Sequence, residues 1–394
     1  MLSMHARRVV CTAALLCLLT QFERSASRIL LKYKLDATWP LEPSKFVASA
    51  QDFCTAVDDV SQEVYVGLRG PGIPLSGPVL VFGEDGTYHR SWGHNVVDMI
   101  HGMRLQRLAN GTARIWVTDL GNGAMGHTVK MFSTDGDLLE TIGTPGKAGV
   151  SLNPIQFDQV ADIAIDQSDS LYIVDGDGGM NNRLVKLDAN RNLAWSVGVR
   201  GSKPSQFYIP HSVEFDPNLG MVWVADRGNN RTQAFNASDG SFITEWTCMR
   251  PKSPCHIRLD PSGHNFIMLD LLYANIFVIP APKDVQSVNS CHVVRQTAMY
   301  PNNTKPHAFS ISKTTWALYI GEVGANVTQK YVPYSGLSRD KHSAMFTTVT
   351  VFEPFLLCLL FVALLLWVVR RRLRSGGKPH NQRVGLIGET IWHK

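Results

Sequence analysis

The chain has no run of basic residues interleaved with aromatics, and without one it lacks the surface that nucleic-acid binding needs. It also lacks the cysteine spacing of a RING domain, which excludes that route to ubiquitin transfer. Its net charge of +5 is modest for 394 residues, and much of it sits in the C-terminal tail. Cysteine is sparse at seven residues: Cys11 and Cys17 fall in an N-terminal apolar run and Cys358 in a C-terminal one. That leaves Cys54, Cys248, Cys255 and Cys291, an even set expected to form disulfides in an oxidising lumen. More than one connectivity is open, and the short loop favours Cys248–Cys255.

Hydrophobic residues make up 44% of the chain, enough for a globular core. Arg7 and Arg8 precede an apolar run from Val9 to Thr20, and the small residues Ser25, Ala26 and Ser27 follow. This pattern predicts a secretory signal over residues 1–27, with a signal anchor as the alternative. The run is short for a hydrocarbon core of roughly 30 Å. Pro354 to Val369 is almost wholly apolar, and Arg370, Arg371, Arg372 and Arg374 follow it. We expect a transmembrane helix over 347–369 with its basic flank in the cytosol. The chain then reads as a single-pass type I membrane protein. Residues 28–335 form a lumenal or extracellular domain, 336–346 a stalk and 370–394 a cytoplasmic tail. Sequons at Asn110, Asn230, Asn236, Asn302 and Asn326 suit an exported glycoprotein.

The domain repeats with a period of about 50 residues, the spacing of propeller blades. Its most regular unit is an apolar strand closing on a small or acidic residue. The copies are Val64-Tyr65-Val66-Gly67, Ile115–Asp119, Leu171–Asp175, Val222–Asp226, Phe266–Asp270 and Leu318–Glu322. Their β-branched and aromatic residues mark strands. A second strand follows most copies, then a turn such as Asp85-Gly86, Asp135-Gly136 or Asp239-Gly240 and a third strand. A further strand precedes each copy. Four strands per unit and six units predict an all-β, six-bladed β-propeller. The last blade lacks an outer strand, and the segment Arg28–Leu35 is a strand without a blade. Placing one on the other closes the ring and removes open sheet edges.

The first strand of each blade lines the central channel. In blades two, four and six it carries Ile100-His101-Gly102, Pro210-His211-Ser212 and Pro306-His307-Ala308. In blades one, three and five the equivalents are Phe53–Ala56, Gln159–Asp162 and Pro254–Ile257. The three histidines are therefore expected a third of a turn apart and pointing inward. Three converging imidazoles with an open fourth position are the ligand set of a catalytic zinc and of other borderline metals. His89, His94, His127, His256 and His292 lack the pattern and are assigned to structure.

The sequence resembles the NHL-repeat family in four stretches: Gly143 through Pro154, Tyr172 through Gly179, Ile209 through Val213 and Val224 through Asn229. The likeness covers most of 29–335 but not the membrane span. It implies a secreted protein, so the span is a departure. A more distant likeness is to the peptidyl-hydroxyglycine lyase domain of peptide-amidating enzymes. That resemblance implies zinc held by His101, His211 and His307, with Arg69 and Arg227 as active-site arginines. Both arginines read equally well as loop residues in surface ion pairs. The lyase has a base Tyr where this chain has Asp177, which is either a replacement base or a loop carboxylate. It has a calcium-binding Asp where this chain has Ala308. Calcium is therefore not expected, since the carbonyls of Thr55 and Met103 alone are a thin oxygen set. The lyase disulfides have no counterpart at the matching strands.

Two functions are expected from these features. The first is a secretory-pathway propeller that binds metal and a protein or peptide ligand without catalysis. The alternative is a zinc-dependent lyase. No nucleic-acid partner is expected.

Overall fold

The computed structural model describes residues 32–41 and 50–334, apart from 71, 122, 248–250, 285–286, 288–290, 292, 294, 300–303 and 325–326. The expected signal, stalk, membrane helix and cytoplasmic tail lie outside the described residues. Among the described residues no helix is long and apolar enough to cross a membrane.

Strand β1 covers Lys32–Asp36. Blade one is β2 (Gln51–Asp58), β3 (Glu63–Arg69), β4 (Val79–Gly83) and β5 (Tyr88–Trp92). Blade two is β6 (Ile100–Arg107), β7 (Ala113–Asp119), β8 (Thr128–Ser133) and β9 (Leu138–Ile142). Blade three is β10 (Val160–Ile165), β11 (Leu171–Asp175), β12 (Arg183–Leu187) and β13 (Leu193–Val197). Blade four is β14 (Pro210–Asp216), β15 (Met221–Asp226), β16 (Arg231–Asn236) and β17 (Phe242–Trp246). Blade five is β18 (Pro254–Leu259), β19 (Asn265–Asp270), β20 (Asn275–Pro280) and β21 (Arg295–Ala298). Blade six is β22 (Pro306–Ile311), β23 (Leu318–Glu322) and β24 (Gln329–Tyr334), with β1 as its outer strand.

Each blade is an antiparallel four-stranded sheet, and the six innermost strands touch in sequence around the ring. The N-terminal strand closes blade six as expected, with Lys32 opposite Tyr334 and Asp36 opposite Lys330. Strand β21 supplies the fourth strand expected for blade five, although its sequence Arg-Gln-Thr-Ala offers no apolar alternation to mark its position.

Hydrophobic clusters fill every seam between neighbouring blades. Trp116 lies with Val160 and Ile173 between blades two and three, and Trp223 with Phe266 and Phe277 between four and five. Trp39 sits at the closing seam among Phe82 and Tyr319, its indole N–H donating to the Gly83 carbonyl at 3.1 Å. The acidic residue that ends the second strand of blades two to six acts as a strap. Asp119, Asp175 and Asp226 accept main-chain N–H groups from Met99, Asp158 and Tyr208, each in the loop entering its own blade. Lys130, Arg183 and Arg231 from the third strands neutralise these buried carboxylates. The repeat motif therefore fixes the loops from which the channel residues start.

Candidate metal centre

The innermost strands share one irregularity. Each pairing with the second strand shifts register across a single residue: Phe53, His101, Ala161, His211, Cys255 and His307 in blade order. A bulged residue leaves the ladder, and its side chain is re-aimed. Here the six bulges form one layer of the channel, with histidine on alternate blades. The three imidazoles are buried, and each pair of ring centroids is 4.7 Å apart. Their ligand atoms all lie within 4.8 Å of one another.

The bulges without histidine orient the rings. His101 Nδ1 is 2.7 Å from the Ala161 carbonyl oxygen, His211 Nδ1 is 2.6 Å from that of Cys255, and His307 Nδ1 is 3.1 Å from that of Phe53. A carbonyl oxygen only accepts, so each Nδ1 carries the proton. Burial pushes all three imidazoles toward the neutral form, His211 and His307 most strongly. A neutral ring with Nδ1–H leaves Nε2 as a bare lone pair. His211 and His307 then face each other Nε2 to Nε2 at 3.1 Å, two acceptors with no proton between them. A cation among the three Nε2 atoms would remove that conflict. The donor set therefore fits a borderline metal ion, and the outer hydrogen bonds are those that orient metal-ligating histidines.

Asp177 faces the same centre. Its Oδ2 is 2.9 Å from His101 Nε2, and its Oδ1 accepts from Arg227 Nη2 at 2.8 Å. Burial works to raise this carboxyl, and the Arg227 guanidinium opposes it and favours the carboxylate. Asp177 reaches the site because its own N–H and that of Gly176 bond to the Gln159 carbonyl. Arg227 opens a short 3-10 turn, Arg227–Asn229, and its N–H donates to Ile209.

Arg69 ends β3 with its guanidinium 3.5 Å over the Phe53 ring, which in turn packs at 4.0 Å on His307. Its Nε donates to Ile100, and its Nη2 is buried with no hydrogen-bond partner. Burial pulls its pKa down to about 10, opposed by the charge of Asp177.

Beside the bulged layer, Thr55 donates its hydroxyl to the Tyr319 carbonyl. On the other side of the channel Arg258 Nη1 lies among Asp162 Oδ2 at 2.9 Å, Ser212 Oγ at 3.1 Å and the carbonyls of Ile257 and Val213 at 2.9 and 3.2 Å. A guanidinium thus stands in an oxygen-rich pocket.

The cysteine expectation needs correction. Cys54 and Cys255 are free and buried, and Cys255 Sγ donates to the carbonyls of Leu269 and Pro306. Both lie on innermost strands, packed into seams, where their thiols behave as small apolar groups. Cys291 is disulfide-bonded, and Cys248 lies outside the described residues. Of the sequons, Asn110 is exposed in the β6–β7 turn, Asn230 caps the 3-10 turn with a left-handed backbone, and Asn236 ends β16. Asn302 and Asn326 lie outside the described residues.

Sequence reasoning found the histidines, both arginines and Asp177. It missed the three carbonyls that set the tautomers, because a main-chain acceptor leaves no mark on residue type. The available signal was the alignment of Phe53, Ala161 and Cys255 with the histidine positions.

A six-bladed propeller with three histidines converging in its channel defines the class: an NHL-type propeller with a candidate metal centre. The chain belongs to the family of NHL repeat-containing protein 3. It is 42% identical to the human protein of that name over 302 residues, 76% of this chain and 84% of that protein. More distant similarity reaches amidating enzymes. It is 31% identical over 160 residues to peptidyl-glycine alpha-amidating monooxygenase A of Xenopus laevis, covering 40% of this chain and 16% of that one. A probable peptidyl-alpha-hydroxyglycine alpha-amidating lyase of Caenorhabditis elegans is 30% identical over 152 residues, 37% of this chain and 39% of that protein. No family model matches the chain.

Proposed function

We propose that this protein is a metal-binding propeller of the secretory pathway that holds a ligand at its channel mouth and is not a lyase. The observation that carries the reading is the set of three Nδ1–H to carbonyl bonds, which leaves three Nε2 lone pairs facing one point. His101, His211 and His307 would hold the ion, and zinc is the ion proposed because three imidazoles with an open position form a catalytic zinc ligand set. When bound, such an ion supplies a Lewis acid and an anchor for an anionic group.

The absence of lyase action rests on Asp177. Its carboxylate lies against His101 and is paired to Arg227, so one of the two arginines expected to hold substrate is already neutralised. An incoming carboxylate must compete with Asp177 for Arg227. Arg69 is different: its buried, unpaired Nη2 is a donor left for an anionic ligand group. That unspent donor, together with the amidating relatives, is what favours the second reading, a zinc-dependent lyase.

Residues 1–27 as a signal, 347–369 as a membrane helix and the five sequons as glycosylation sites complete the proposal. The test is metal analysis of the full chain, followed by an assay of peptidyl α-hydroxyglycine cleavage. About one bound equivalent and no cleavage is the expected result. Cleavage that His211→Ala abolishes would establish the lyase reading instead, and absence of stoichiometric metal would overturn both.

A further inference from the structure

We infer that the mouth face of blades three to five is a docking surface for an acidic, apolar polypeptide segment of a partner protein. The inference rests on the mouth as a ligand-binding face but not on the metal. The bulged residues sit at the start of the innermost strands. Loops that enter these strands and loops that leave the second strands therefore share one face. Main-chain bonds tie them together: Gly176 to Gln159 at 3.0 Å, Arg227 to Ile209 at 3.1 Å and Leu271 to Ser253 at 3.3 Å.

Large apolar side chains stand in solvent on this sector. Met180 is 73% exposed and Leu272 63%, and Val150, Val199, Tyr208 and Tyr273 are also exposed. They occupy mouth-face loops of neighbouring blades, and exposed apolar side chains gathered on one face mark an interaction site. Basic residues alternate with them: Lys147, Arg200, Lys203 and Lys252 are exposed, and Arg200 lies 4.9 Å over the Tyr208 ring. Among the described residues of these loops there are two carboxylates. Asp158 is buried and accepts the Met180 N–H, and Asp177 is paired to Arg227.

The opposite face has the reverse charge. Its hairpin turns carry Asp85, Asp135, Asp166, Asp188, Asp239 and Asp260, several of which accept N–H groups within their own turns. The molecule is thus polarised along its channel, and charge complementarity selects an acidic occupant for the mouth. The chain's own ends do not fit. Lys32 and Tyr334 pair at the far face, and the sequence after Tyr334 is polar, then apolar, then rich in arginine rather than acidic. Arg227 and Asp177 are recessed, with side chains 18% and 15% exposed, so a narrow segment reaches them and a flat lipid surface does not.

The experiment uses the full chain in detergent and two fluorescent synthetic peptides of equal length. One alternates glutamate with leucine and phenylalanine, and the other has lysine in place of glutamate. The glutamate peptide is expected to bind, at least about tenfold more tightly than the lysine peptide at low salt and more weakly at high salt. The triple charge reversal Arg200→Glu, Lys203→Glu, Lys252→Glu and the pair Leu272→Ser, Tyr273→Ser should each weaken it by about tenfold or more. Reversal of Asp135 and Asp188 to lysine on the far face should not weaken it. His211→Ala should lose metal yet keep the peptide, so a failure of the metal reading leaves this result distinct. Equal binding of the two peptides, or no loss in the mouth variants, overturns the inference. So does binding to phosphatidylserine vesicles that the same mouth variants abolish while the peptide fails to bind.

Discussion

His211 and Cys255 belong to neighbouring blades, and the imidazole Nδ1 of the first donates to the main-chain carbonyl of the second at 2.6 Å. The same bond recurs from His101 to Ala161 and from His307 to Phe53. Each ligating ring is thus aimed by the blade that follows it. A metal site of this kind depends on the ring being closed, since no single blade contains both a histidine and its acceptor.

Because the acceptor is a main-chain atom, side-chain replacement at Cys255 should leave the site intact. Cys255→Ala is expected to retain the metal content of the wild type. Alkylation of denatured, unreduced protein should label Cys54 and Cys255 and spare Cys291. Peptide mass mapping reads this directly, and protection of Cys54 or Cys255 would contradict the assignment.

Asp177 presents a carboxylate oxygen to the same centre as the imidazoles. Asp177→Asn should weaken the metal by about tenfold or more, measured by competition with a chromogenic chelator. The same change releases Arg227 from its ion pair and should strengthen binding of small carboxylates. If metal affinity is unchanged, Asp177 is only a loop carboxylate.

Much of this site was legible in the sequence because histidine recurs at one place in the repeat. His101, His211 and His307 could be superposed by counting strands such as Tyr172-Ile173-Val174-Asp175. What could not be read was the direction of side chains in loops. Asp177 was open between a base and a surface residue, and only the Gln159 carbonyl, reached through Asp177 N–H, turns it inward. The cysteines misled because an even count in a lumenal domain suggests pairing, whereas Cys54 and Cys255 are spent in packing between blades. Strand β21 was implied only by the count of four strands per blade, since its polar sequence on an outer edge carries no alternation to mark it.

The seams predict where stability resides. Trp223 is wholly buried, 4.2 Å from Trp246 and 5.2 Å from Phe266 by ring centroids. Trp223→Ala should cost about 3–5 kcal/mol, seen as a lowered denaturation midpoint. A cost under about 1 kcal/mol would mean that the seam between blades four and five repacks freely.

Closure of the ring carries a pH dependence at Asp52. This buried carboxyl accepts from Thr328 Oγ1 at 2.7 Å, but burial outweighs that bond and raises its pKa to about 7. A folded pKa above the unfolded one means that the folded state binds the proton more tightly. The contribution to stability is full below about pH 4 and is lost as pH rises through about 7, by a few kcal/mol at most. Asp52→Asn should flatten the melting temperature across that window. An unchanged slope would show that the carboxyl titrates normally.

The central claim is that three neutral imidazoles, held by carbonyls of the neighbouring blades, bind one metal ion. Elemental analysis of the purified full chain, beside His211→Ala, tests it most directly. The account predicts about one equivalent of a borderline divalent metal in the wild type and loss of it in the variant, with the variant still folded. A wild-type protein without stoichiometric metal, or a variant that keeps it, would contradict the account.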